Sequence, residues 1–189
     1  MKEVKKEIFD HQITLIKNVK KLETTIIRAA ELIFKTLKKG GTIYIAGNGG
    51  SAADSQHFAA ELIGRYKKNR KPYKAVSLAA DVGTITCIAN DFGYENIFSR
   101  QLDALGNKND LVVAISTSGN SKNIINLLKM SKSKKVYSIG FFGNQGGKSK
   151  KLCNYPIIIN SKNTARIQEM HQIIYHNICN LIDQKKFKK

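Results

Sequence analysis

A three-layer α/β sandwich, with a five-stranded parallel sheet flanked by helices and an N-terminal helical pair, is the fold the sequence predicts. Three observations predict it. Apolar residues recur at helical spacing through the first forty positions, short β-branched runs alternate with helical stretches from Thr42 onward, and two of those runs end in glycine- or serine-rich turns that open a helix.

The first observation rests on Ile8, Leu15, Ile16, Val19, Leu22, Ile26, Ile27, Ala30, Ile33, Phe34 and Leu37, spaced mostly by three and four. Two helices are expected here, ending at Gly40-Gly41, and they are free to pack on the sheet or on another subunit. The strand candidates are Thr42–Ala46, Ala75–Ala79, Asp110–Ser116, Val136–Phe142 and Tyr155–Asn160. Helical patterns fill the gaps at 52–64, 81–90, 95–105 and 121–133, and a last one runs from Thr164 to Gln184. No internal repeat and no Pro/Gly/Ser linker divides the chain, so residues 1–189 are expected to form one domain, with 1–40 helical and 42–189 the α/β core.

Composition removes several classes. At 189 residues, with 42% hydrophobic and 24% charged residues, the chain is neither disordered nor fibrous. Its longest apolar runs fall far short of the roughly 20 residues a membrane helix needs, and the N-terminus lacks the apolar segment of a signal peptide. Cysteines 87, 153 and 179 form no CxxC pair and are odd in number. A cytoplasmic protein with all three thiols buried as packing residues is expected. The net charge of +18 is spread in short lysine groups, at 5–6, 67–74, 132–135, 148–151 and 185–189. That pattern predicts a solvated surface and no nucleic-acid partner, with a field that draws in small anions.

Function is carried first by two loops. Gly47-Asn48-Gly49-Gly50-Ser51 follows the first strand and leads directly into a helix, which makes an anion site from close backbone N–H groups and a helix N-terminus. Ser116-Thr117-Ser118-Gly119-Asn120-Ser121 repeats the arrangement and adds hydroxyl donors. Glycine and serine also make ordinary turns and caps. Two such loops in matching strand-to-helix positions nevertheless point to one shared ligand, a sugar phosphate. The first loop also fits the dinucleotide fingerprint G-x-G-x-x-A, but the acidic residue expected about 20 positions on is missing.

The helix after the first loop places His57 and Glu61 four apart, on one face, where they can move protons or bind a metal. The last helix offers Gln168, Glu169, His171 and His176. Gln168 and His176 lie about 12 Å apart along its axis, so one ion is shared only if it sits between them. His11, on a lysine-rich helix, is expected at the surface.

Four segments, GNGGSAADSQHFAAELIGRY at 47–66, ANDFGYENIFSRQ at 89–101, ISTSGNS at 115–121 and RIQEMH at 166–171, closely resemble the phosphoheptose isomerases of the sugar isomerase (SIS) domain family. The resemblance runs over nearly the whole chain. It implies a homotetramer with active sites at subunit contacts, and conversion of sedoheptulose 7-phosphate to D-glycero-D-manno-heptose 7-phosphate for lipopolysaccharide core, capsule or related glycans. It also implies substrate contacts from Asn48, Gly49, Gly50, Glu61, Asn90, Asp91, Ser116, Thr117, Ser118, Ser121 and Gln168, and a zinc ion held by His57, Glu61, Gln168 and His176. One departure is visible: Ala52 and Ala53 stand where some relatives place a histidine and a cysteine, which leaves the backbone donors untouched.

A DnaA-binding replication-initiation factor in the same family is the alternative, as a binding protein and not an enzyme. That factor lacks the glutamate and the late histidine, whereas this chain keeps Glu61 and His176. An aldose–ketose isomerisation needs a base that carries a proton between adjacent carbons and a group that handles protons on oxygen. Glu61 and His176 are the expected catalytic pair.

Overall fold

The computed structural model describes residues 2–185, without the side chains of Val19 and Lys20. The apolar role expected of Val19 and the end of the 185–189 lysine group lie outside the described residues. The elements run α1 (Lys2–Lys38), β1 (Ile43–Ala46), α2 (Gly50–Ile63), β2 (Ala75–Ser77), α3 (Val82–Phe92), α4 (Ser99–Leu105), β3 (Leu111–Ser116), α5 (Lys122–Ser133), β4 (Tyr137–Gly143), β5 (Tyr155–Ile159) and α6 (Thr164–Gln184). Short 3-10 turns occupy Tyr94–Asn96 and Ser149–Lys151.

The N-terminal pair of helices is in fact one helix. No glycine or proline occurs before Gly40, so nothing interrupts α1 until that residue adopts a left-handed φ of 79°. Its C-terminal half buries Leu22, Ala29, Ala30, Ile33 and Leu37 in the core. Its N-terminal half leaves Val4, Ile8, Phe9, Ile13 and Ile16 in solvent. The expected helix 95–105 is broken as well. Asn96 donates its side-chain amide to the Phe92 carbonyl, and the Ser99 hydroxyl donates to the Asn96 carbonyl. Such local side-chain bonds compete with the helical ladder, and the segment forms a 3-10 turn before α4.

All five strands are parallel, in the order β2-β1-β3-β4-β5. Because side chains alternate along a strand, Ile43, Ile45, Val113, Ile115, Ile139, Phe141, Ile157 and Ile159 face α1, α2 and α6. Tyr44, Ala46, Val112, Ala114 and Phe142 face the other way, toward α3, α4 and α5. Both faces being covered explains why the central strands read as unbroken apolar runs.

Of the three thiols, Cys153 and Cys179 are buried as expected, but Cys87 is exposed. Helix α3 rides on the rim and buries only Ile88. His11 is half-buried and hydrogen-bonded to Glu169 of α6, which in turn holds Arg166. The lysine-rich surface of α1 thus hides a docking contact at this turn, next to the one between Arg166 and Glu7.

The hydrophilic stretch 64–74 is pinned to the end of α6. Asp183, with its side chain only 1% exposed, accepts from the backbone N–H groups of Lys67 and Lys68 at 2.8 and 3.0 Å and from Arg70 Nε at 2.9 Å. Arg70 donates onward to the Leu62 and Glu61 carbonyls, each at 2.8 Å. These are the carbonyls at the end of α2 that have no partner within the helix.

Candidate active site

The two glycine- and serine-rich loops leave neighbouring strands at one sheet edge, since β1 and β3 pair in parallel with Ala46 opposite Ala114. The chain passes from β1 outward to β2 on one side, and from β3 to β4 and β5 on the other. The loops therefore flank the topological switch point, where open α/β sheets form their ligand crevice.

Gly49 at the start of α2, with φ 54°, and Ser121 at the start of α5 make no side-chain capping bond. At α2 the Ser51 N–H bonds the Asn48 carbonyl and the Ala52 and Ala53 N–H groups bond the Gly49 carbonyl, and at α5 the Ile124 N–H bonds Asn123 Oδ1, so what both helix ends offer an anion is chiefly the positive end of the helix dipole. In the second loop, Ser116 Oγ is buried, accepts from the Gly119 N–H at 3.1 Å and lies 3.3 Å from Ser121 Oγ. Ser118 Oγ accepts from the Asn120 N–H at 3.1 Å, while Thr117 is half-buried. Gly119 is required by contact, because a Cβ there would stand 2.1 Å from the Gly146 carbonyl oxygen.

A reciprocal amide pair ties the loops together. Asn48 Nδ2 donates to Asn123 Oδ1 at 2.9 Å, and Asn123 Nδ2 donates to Asn48 Oδ1 at 2.8 Å. The Tyr94 hydroxyl adds a third bond to Asn48 Oδ1 at 3.1 Å. Asn48, Tyr94, Glu95, Ser121, Lys122 and Asn123 line an open cleft of about 400 Å³. Sequence reasoning found Asn48 and Ser121 but missed Asn123 and Tyr94, whose roles appear only when α5 and the 3-10 turn meet the first loop.

Gln168 reaches the first loop from α6. A Cβ placed on Gly50 would lie 2.4 Å from Gln168 Nε2. Gly50→Ala is therefore expected to push the amide aside while the backbone stays intact. The expected outcome is a melting temperature within about 3 °C of the parent, with a fall in turnover of tenfold or more if Gln168 touches the ligand; unchanged turnover would remove Gln168 from the site.

His57, Glu61 and His176 converge. One ligand atom from each lies within 4.8 Å of the others. His57 Nε2 is 3.1 Å from Glu61 Oε1. The rings of His57 and His176 meet edge to face with centroids 5.0 Å apart. Tyr66 stacks on His176 at 5.6 Å, and Tyr175 meets both histidines edge-on. Desolvation, reinforced by the nearby His57 and opposed by Glu61, lowers the His176 pKa. A neutral imidazole is the form that binds metals or accepts protons. Two imidazoles and a carboxylate at this separation could hold a metal ion.

The other sequence candidates divide. Asn90 and Asp91 are exposed at the end of α3 and bond to each other at 2.8 Å. Among the described residues, neither bonds to either loop. His171 belongs to the core: it is fully buried against Phe141, and burial pushes its pKa down to about 4, only partly offset by the Phe142 backbone. Glu169 serves the His11 contact. Two more residues at the site, besides Asn123 and Tyr94, went unnoticed in the sequence. The Tyr175 hydroxyl lies 2.9 Å from His57 Nδ1. Asp54 shares the α2 face of His57 and Glu61 at helical spacing, a signal that was available.

The chain matches the SIS domain model over residues 9–143. It is 48% identical to a phosphoheptose isomerase of Campylobacter jejuni subsp. jejuni serotype O:6, covering 96% of this chain and 97% of that one. It is 45% identical to a phosphoheptose isomerase of Helicobacter pylori, covering 96% and 94%. The structure superposes on phosphoheptose isomerases of Neisseria gonorrhoeae (TM-score 0.92, 36% identity, 97% of this chain and 98% of that one) and Francisella tularensis (TM-score 0.94, 32% identity, 97% of each).

Proposed function

The chain belongs to the SIS domain family, and within it we propose a single-domain cytoplasmic isomerase that converts D-sedoheptulose 7-phosphate to D-glycero-D-manno-heptose 7-phosphate, the entry to nucleotide-activated heptose for lipopolysaccharide or capsule. The observation that carries the reading is the His57–Glu61–His176 cluster, built on the helix that the first loop opens and on α6. Phosphate loops alone would suit a sensor as well as an enzyme, and a DnaA-binding factor has no use for the cluster.

The two loops hold the phosphate through backbone N–H groups and the hydroxyls of Ser116, Thr117, Ser118 and Ser121, with Asn48, Gly49 and Gly50 opposite. Asn48 has one amide hydrogen left over after its bond to Asn123, and this hydrogen is free to donate to the substrate. Asn90, Asp91 and Gln168 orient the sugar chain. Glu61 carries the proton between the two carbons, and His176 exchanges protons at the oxygens through an enediolate. A zinc ion held by His57, Glu61, Gln168 and His176 would supply Lewis-acid polarisation of the carbonyl. We assign the exposed apolar residues of α1 to a homotetramer interface, which multi-angle light scattering tests against the 21.1 kDa protomer mass.

The decisive experiment is NMR observation of sedoheptulose 7-phosphate with the purified protein, before and after chelation. Conversion that stops on chelation and returns with zinc supports the reading. Absence of conversion, with tight DnaA binding, replaces it with the regulatory one.

A further inference from the structure

His57 makes two hydrogen bonds that together fix which ring nitrogen carries the proton. Its Nε2 faces Glu61 Oε1 at 3.1 Å and its Nδ1 faces the Tyr175 hydroxyl at 2.9 Å. An ionised carboxylate only accepts, so Nε2 carries the hydrogen and Nδ1 accepts the Tyr175 O–H. A metal ion at Nε2 requires the reverse. That nitrogen must offer its lone pair, the proton must sit on Nδ1, and Nδ1–H must donate to the Tyr175 oxygen. The Tyr175 O–H then needs another acceptor.

Asp54 supplies one. It precedes His57 by three residues on α2, and its Oδ2 is buried without a hydrogen-bond partner among the described residues. Burial, with the Asp54 charge next in size, pushes the Tyr175 hydroxyl pKa up. Core packing accounts for the Tyr175 ring, which stacks on Phe58 at 5.3 Å, but not for its hydroxyl, which ends at the site.

We propose that Tyr175 is a positioning residue that holds the His57 ring through Nδ1 in both tautomers, and that Asp54 receives its hydroxyl when His57 Nε2 takes a metal ion. The proposal rests on the metal reading above. One proton moves from Nε2 to Nδ1 through solvent, to which His57 is exposed, and one O–H rotates. The ring releases no net proton.

The test uses metal-free protein with ¹⁵N-labelled histidine, long-range ¹H–¹⁵N NMR for the tautomer and calorimetric titration with zinc. In the parent, His57 is expected as the Nε2–H tautomer. Tyr175→Phe keeps the ring packing, so the fold should survive by circular dichroism, and the metal-free tautomer, which Glu61 fixes, stays Nε2–H, while zinc binds about 10- to 100-fold more weakly because Nδ1–H loses its acceptor. Asp54→Leu is expected to leave the metal-free tautomer unchanged and still weaken zinc, and the double variant should be no worse than Tyr175→Phe alone. Equal zinc affinity in parent and Tyr175→Phe would overturn this proposal alone. A parent that binds no zinc would overturn the metal reading and the Asp54 step together.

Discussion

Glu61→Gln should lower turnover of sedoheptulose 7-phosphate by about 10³-fold, or ~4 kcal/mol of transition-state stabilisation, with little change in phosphate-end binding. The substitution is nearly isosteric and keeps an oxygen to accept from His57 Nε2. The Glu61 carbonyl, which Arg70 holds, belongs to the backbone and is unaffected. What is lost is the ability to take a proton.

A carboxylate bound directly to zinc is a poorer base, so the variant must separate two roles. If Glu61 acts only as a ligand, the amide weakens zinc affinity, and excess zinc restores the rate. If Glu61 carries the proton, turnover stays low in the fully loaded variant, and solvent deuterium no longer enters the sugar at the carbon next to the carbonyl. Full activity in the loaded variant would remove Glu61 from proton transfer.

The parts of this site legible in the sequence were those built from consecutive or helically spaced residues. Loops 47–51 and 116–121 announce themselves because strand, turn and helix start are contiguous, and His57 with Glu61 because four residues make one helical face. The α1 break was misjudged because a change in burial along a helix looks like a change of element. Half of α1 faces the core and half faces solvent, with no backbone signal between them. Asn123 and Tyr175 were invisible for a different reason. Each acts through a residue far along the chain, Asn48 and His57, and only the sheet order and the packing of α6 on α2 bring the pairs together. The adjacency of His176 to Glu61, by contrast, came from family resemblance and not from spacing.

Asp183→Ala should cost about 3–5 kcal/mol, because it leaves the Arg70 guanidinium, 13% exposed, and two backbone N–H groups without their acceptor. For a chain of this size that corresponds to a melting temperature lower by about 10 °C. Burial pushes the Asp183 carboxyl pKa up, but the Lys68 and Lys67 N–H groups and Arg70 together outweigh it and hold the pKa below the usual carboxylate value. A carboxyl whose folded pKa is depressed contributes stability that is complete above its unfolded pKa and is lost as pH falls through the folded one. The gap between parent and variant should therefore be full at pH 7 and close as the pH drops below about 4. Thermal melts across that range check both magnitude and sign, and a gap under 2 °C at pH 7 would show the cluster to be dispensable. Activity should fall at temperatures where the variant remains folded. The segment that Asp183 anchors carries Tyr66, stacked on His176, and Arg70, bonded to the Glu61 carbonyl, so the same contact that closes the end of α2 also braces the two residues proposed as the catalytic pair.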